Sequence, residues 1–94
     1  MKKVLIVEDH ADIRRLIRMT LEFENCEIIE ANNGASGLEA AAQSTPDVVL
    51  LDVMMPGEID GLEACRRLKS DPRFLGTHVV MLSARGAAMD LERG

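Results

Sequence analysis

Ninety-four residues, 47% of them hydrophobic and 29% charged, suit one small globular domain and exclude a disordered chain. A formal charge of −5 excludes a protein that grips the nucleic-acid backbone through a basic face, so no direct nucleic-acid contact is expected. There is no Trp or Tyr, and Phe23 and Phe74 are the only Phe, so the core has to be aliphatic.

The chain opens with MKKVLIVEDH, in which two lysines precede an apolar run far too short for a signal-peptide core or a membrane span. The expectation is a cytoplasmic protein with no membrane contact. VLIV (4–7) reads as a first strand that stops at Glu8-Asp9, with His10 beyond it as a surface residue. Ile13, Leu16, Ile17, Thr20 and Leu21 then share one helical face, with Arg14, Arg15, Arg18 and Glu22 elsewhere. CEIIEA (26–31) is a second strand closed by the turn signal Asn32-Asn33-Gly34. Ala35, Leu38, Ala41 and Ala42 mark the next helix, ended by Ser44-Thr45-Pro46.

VVLL (48–51) is an unbroken apolar run, as expected of a strand buried on both faces, and it ends on a carboxylate, Asp52. Asp60 and Glu63 make a capping-box-like start to a third helix, with Leu62, Cys65 and Leu68 facing inward and Asp71-Pro72 as its stop. HVVMLS (78–83) is the fourth strand, and Arg85 to Arg93 has helical composition around Ala87, Ala88 and Leu91. Cys26 and Cys65 have neither metal nor redox spacing and are read as free thiols.

Strands alternating with helices of this length predict an α/β fold: a doubly wound parallel sheet with right-handed crossovers. Ligands of such sheets bind beyond the carboxyl ends of the strands, where the strand order reverses. In the flavodoxin-like order that point lies between the first and third strands, whose tips here are Glu8-Asp9 and Asp52. Three carboxylates in one crevice repel, and protonation or a bound cation relieves the repulsion. Oxygen-only donors suit a hard ion, commonly Mg²⁺. Beside such an ion Asp52 could serve as a nucleophile toward phosphorus. A hydroxyl at the tip of the fourth strand, Ser83, could hydrogen-bond the new phosphoryl group.

VLIVEDH, VVLLDVMMPGEIDG and VVMLSA, in that order and at that spacing, resemble the receiver domain of two-component response regulators, and the resemblance spans the whole chain. It implies that Asp52 is the phosphoacceptor, charged by a histidine kinase. It also implies that Asp9 and Asp52 bind Mg²⁺ directly, that the Met54 backbone carbonyl is a further ligand, and that Glu8 acts mainly through water. Ser83 would be the switch hydroxyl, while Met54 and Arg85 fall where the family tunes dephosphorylation.

The sequence departs from the family's pattern after the fourth strand. No position matches the family's aromatic switch residue or the lysine that pairs with the phosphoryl group, the last lysine being Lys69 on the third helix. The expectations are a sheet of about four strands, an exposed fourth-strand edge that promotes self-association or leaves the chain unstable alone, and slow or absent self-phosphorylation. A truncated pseudo-receiver that acts as an interaction or oligomerisation module without phosphoryl turnover is the alternative. A phosphohydrolase fits poorly, because Met54 stands where a second acid is usual, and a flavin-binding protein fits poorly because EDHAD would repel a phosphate.

Overall fold

The computed structural model describes residues 2–52 and 61–82 and the backbone of 88–90. Four parallel strands, β1 (Lys2–Val7), β2 (Cys26–Ala31), β3 (Val48–Asp52) and β4 (His78–Leu82), alternate with three helices, α1 (Ala11–Leu21), α2 (Gly34–Ser44) and α3 (Gly61–Ser70). A short fifth strand, β5 (Ala88–Asp90), joins the sheet antiparallel to β4, giving the order β2-β1-β3-β4-β5. The doubly wound sheet expected from the alternation is therefore present in the flavodoxin-like order, and its reversal falls between β1 and β3.

The reversal also assigns the helices to faces. The chain moves one way across the sheet from β1 to β2 and the other way from β2 to β3 to β4. Right-handed crossovers then put α1 on one face and α2 and α3 on the opposite one. Alternate strand residues Leu5, Val7, Val49, Leu51, Val79 and Met81 meet Ala41 of α2 and Ala64, Cys65 and Leu68 of α3 in one continuous core. Gly37 lets α2 approach closely, since a Cβ at that position would stand 2.8 Å from a Val7 methyl. Ile6, fully buried, lies outside this cluster.

Local signals explain the helix ends. The Asn33 side chain accepts a hydrogen bond from the Ser36 N–H and so caps α2. Thr45 closes the same helix in the left-handed region, at φ 43°, with its N–H bonded to the Ala41 carbonyl. Asp71 ends α3 and caps the single 3-10 turn Pro72–Phe74.

Three expectations are corrected, the first two together. Residues 88–90 are strand rather than helix, and the β4 edge is not open, because Val80, Met81 and Leu82 pair with Asp90, Met89 and Ala88. The physical reason is common to both. An apolar edge offers a row of unpaired backbone groups, and a nearby segment too short to be stable as a lone helix gains more by pairing with it. The free edge from which self-association was expected is thus filled over those three residues. Leu62 is also 61% exposed rather than inward-facing.

Candidate functional site

β1 and β3 run side by side with Val7 opposite Leu51, so the next residues, Glu8 and Asp52, arrive level at the carboxyl end of the sheet. The Glu8 N–H donates to the Ala31 carbonyl at 3.0 Å, which fixes the chain to β2 as it leaves the strand. Glu8 and Asp52 are only 3% and 4% exposed. Asp9 is partly exposed, and His10 is open to solvent. One ligand atom from each of Glu8, Asp9, His10 and Asp52 can be chosen so that all lie within 4.8 Å of one another. The three acids singled out from the sequence therefore do share a crevice.

Its electrostatics follow from crowding. Burial pushes the Glu8 carboxyl above its ordinary range, and hydrogen bonding to Asp52 and Asp9 adds to the rise against the opposing His10 N–H. For Asp9 burial also pushes upward, but the hydrogen bond with Glu8 and the charge of His10 outweigh it and hold its carboxyl below the ordinary range. Glu8 is thus the member of the pair that keeps its proton longer. The His10 imidazole is raised, first by its hydrogen bond with Glu8 and then by the charge of Asp9. Oδ1 of Asp9 is buried without a hydrogen bond among the described residues, and its ion-pair neighbour is the exposed His10 ring, 3.2 Å away. A buried carboxylate oxygen in that condition is costly, and a cation is an ordinary remedy. Three carboxylates within reach of one point form the hard-donor set that Mg²⁺ takes.

Two residues were not expected at the site. His10 stands at the N-cap of α1, yet its side chain does not cap the helix. Instead Nδ1 lies 3.3 Å from Oε2 of Glu8 and 3.2 Å from Oδ1 of Asp9, and the His10 N–H donates to the same Glu8 oxygen at 3.1 Å. Arg14, one turn along α1, donates from Nη1 to the Glu8 carbonyl and from Nε to Glu30, both at 2.9 Å. Arg18 pairs with the other Glu30 oxygen. Arg14 therefore ties the loop carrying the acids to the end of β2. The available signal was position: His10 follows the acids directly, and Arg14 sits i+4 from it on the turn that begins there. Met54, Ser83 and Arg85 lie outside the described residues, as does Asp60.

The chain matches the family model described as the response regulator receiver domain over residues 4–94. It is 42% identical over 92 residues to the transcriptional regulatory protein ResD of Bacillus subtilis, covering 98% of this chain and 37% of that protein. It is 33% identical to the protein PilG of Pseudomonas aeruginosa, covering 98% of this chain and 67% of that one. Among solved structures, the N-terminal domain of a response regulator receiver protein from Methanoculleus marisnigri superimposes with a TM-score of 0.82 at 37% identity. That alignment covers 89% of this chain and 68% of that one. The chain thus spans well under half the length of some of the curated relatives it matches.

Proposed function

The chain belongs to the response regulator receiver domain family, and from that premise we propose that Asp52 accepts a phosphoryl group from a histidine kinase in a Mg²⁺-dependent reaction. The observation that carries the reading is the placement of Asp52: buried along its stem, at the tip of β3, in one crevice with Glu8 and Asp9. In this reading Asp9 and Asp52 hold Mg²⁺ directly, the Met54 backbone carbonyl is a further ligand, and Glu8 acts through water. When bound, the ion supplies charge neutralisation for the phosphoryl oxygens.

The residues of the chain do the rest. The burial of Asp52 at the tip of β3 would limit the orientations of its carboxylate, so that an oxygen could attack phosphorus in line. The new P–O bond forms as the bond from phosphorus to the donor nitrogen breaks, and that nitrogen takes up a proton. Ser83, at the end of the fourth apolar run, would donate its hydroxyl to the transferred group. Arg14 keeps Glu8 and Asp9 in place through the Glu8 carbonyl.

Cytoplasmic location belongs to the same proposal. Among the described residues no helix is long and apolar enough to cross a membrane. The relatives' regulatory roles belong to proteins much longer than this chain, and any shared output is part of the proposal.

Intact-mass measurement after incubation with Mg²⁺ and a small acyl phosphate tests the reading. The expected result is a gain of one phosphoryl group by the parent and none by Asp52→Asn. A parent that binds Mg²⁺ but gains no phosphoryl group would instead leave an interaction module of receiver shape.

A further inference from the structure

Away from the crevice, α1 turns a row of apolar side chains to water. Leu16 is 64% exposed, Met19 53% and Phe23, in the turn just beyond the helix, 93%. Apolar residues scattered singly over a surface are ordinary, whereas a contiguous row of them marks a contact. At about 100° per residue, Leu16 and Met19 point on the order of 150° away from Ile17 and Leu21, the half-buried positions of the helix. The row therefore faces straight out from the fold. We propose that it is the seam of a two-fold dimer, in which α1 of one copy lies antiparallel against α1 of a second copy.

Charge complementarity selects that occupant. Spacings of three and four residues put Leu16, Met19 and Phe23 on the positions that a coiled-coil seam uses. Arg15 and Glu22 follow one flank of the seam, and Ile13 and Thr20 the other. Arg15 and Glu22 are both exposed, and the ion pairs of α1 among the described residues use Arg14 and Arg18 instead. Glu22 keeps helical backbone angles, φ −63° and ψ −19°, so it continues the spiral of α1. With the helices antiparallel and Leu16 set against Met19 of the second copy, Arg15 falls beside Glu22 of the second copy. Two-fold symmetry makes that pair twice and closes the assembly at two chains. A parallel arrangement sets Arg15 beside Thr20 and loses both pairs. Asp12, opposite Phe23 at each end, is the polar residue of the seam.

Area sets the strength. The exposed parts of Ile13, Leu16, Met19 and Phe23 come to roughly 1,000 Å² over two copies, the low end for a specific interface. That suits a weak dimer, with a dissociation constant on the order of 10 to 1,000 μM, so the chain at about 1 μM is a monomer. The contact uses none of the crevice chemistry and stands or falls apart from it.

The test is sedimentation velocity of the 94-residue chain at low salt, from about 1 μM to 1 mM. The expected result is a monomer–dimer equilibrium with no larger species. Met19→Lys brings a charge to the middle of the seam from both copies and should weaken the dimer about tenfold or more. Its circular dichroism should match the parent's, because Met19 lies outside the core. Arg15→Glu and Glu22→Arg should each weaken the dimer about three- to tenfold, since like charges then meet twice. The two changes together should restore the parent's dissociation constant, which a merely structural role would not do. A parent that stays monomeric at about 1 mM would overturn the proposal and leave the row to a partner of another kind. A dimer that survives Met19→Lys, or that the double charge swap fails to restore, would place the contact elsewhere, such as the outer edge of β2, and overturn it equally.

Discussion

Helices α1 and α3 have nearly the same length, 11 and 10 residues, and both are amphipathic, yet they are held in place by different forces. α3 buries Ala64, Cys65 and Leu68 in the common core. α1 buries no residue at all: Leu16 is 64% exposed and Met19 53%. Ionic contacts link α1 to its surroundings, through Arg14 and Arg18 to Glu30 and through Arg14 to the Glu8 carbonyl. One face of the sheet is therefore anchored by deep packing, and the other by shallower cover over Val4 and Ile6 together with the Arg14 and Arg18 contacts; the acidic crevice lies at the end of the sheet where α1 begins. An apolar stripe predicts a helix and its inward side, but the depth at which it sits depends on what opposes it.

The sharpest way to break this comparison is to truncate a leucine on each helix. Leu68→Ala should cost about 2–5 kcal/mol, because a filled site in the core is emptied. Leu16→Ala should stay within about 0.5 kcal/mol, since most of that side chain is already in water. Urea unfolding of the two variants measures the difference directly, and equal costs would mean that α1 is packed as deeply as α3. On the packed face, Gly37→Ala should cost about 1–3 kcal/mol, because the added methyl meets the stiff Val7 side chain at 2.8–2.9 Å. A shift of the thermal midpoint would report it.

On the charged face, Arg14→Ala should cost about 1–2 kcal/mol and also weaken Mg²⁺ binding, since the Glu8 carbonyl and Glu30 both lose a donor. Arg14→Lys should rescue it only in part, because an ammonium lacks the planar fork that reaches two acceptors. Calorimetric titration with Mg²⁺ beside an unfolding curve separates the two effects.

The smallest effect is in acid. For Glu30 burial pushes the carboxyl upward, but hydrogen bonds with Arg18 and Arg14 outweigh it and hold the group below its ordinary 4.5. A carboxylate with a lowered folded value stabilises above 4.5 and loses that contribution as pH falls through the folded value. The stability gap between the parent and Glu30→Gln should therefore be widest near neutrality and close in acid. A gap that widens on acidification would show that the ion pairs do not hold α1.

Much of this was legible in the sequence because the apolar runs VLIV, VVLL and HVVML are too short and too β-branched to be anything but strands. Their alternation with helices gave the doubly wound class, and the flavodoxin-like order that the receiver resemblance implies brings Glu8, Asp9 and Asp52 together. Leu62 misled because its spacing to Cys65 is helical, yet it lies on the order of 110° around α3 from the middle of the buried face set by Gly61, Ala64, Cys65 and Leu68. β5 was illegible because a three-residue strand is created by the edge it pairs with, and nothing in Ala88-Met89-Asp90 encodes it alone. His10 was read as a surface residue, which its exposure supports, but exposure says nothing about where the ring points.

The central claim is that the crevice at the β1 and β3 tips makes Asp52 a phosphoacceptor. The most direct measurement is to phosphorylate the chain with and without Mg²⁺, reduce any acyl phosphate with borohydride, and map the modified residue by peptide mass spectrometry. The account predicts modification at Asp52 alone and only when the divalent ion is present. Modification at another residue, or equal modification of Asp52 without the ion, would contradict it.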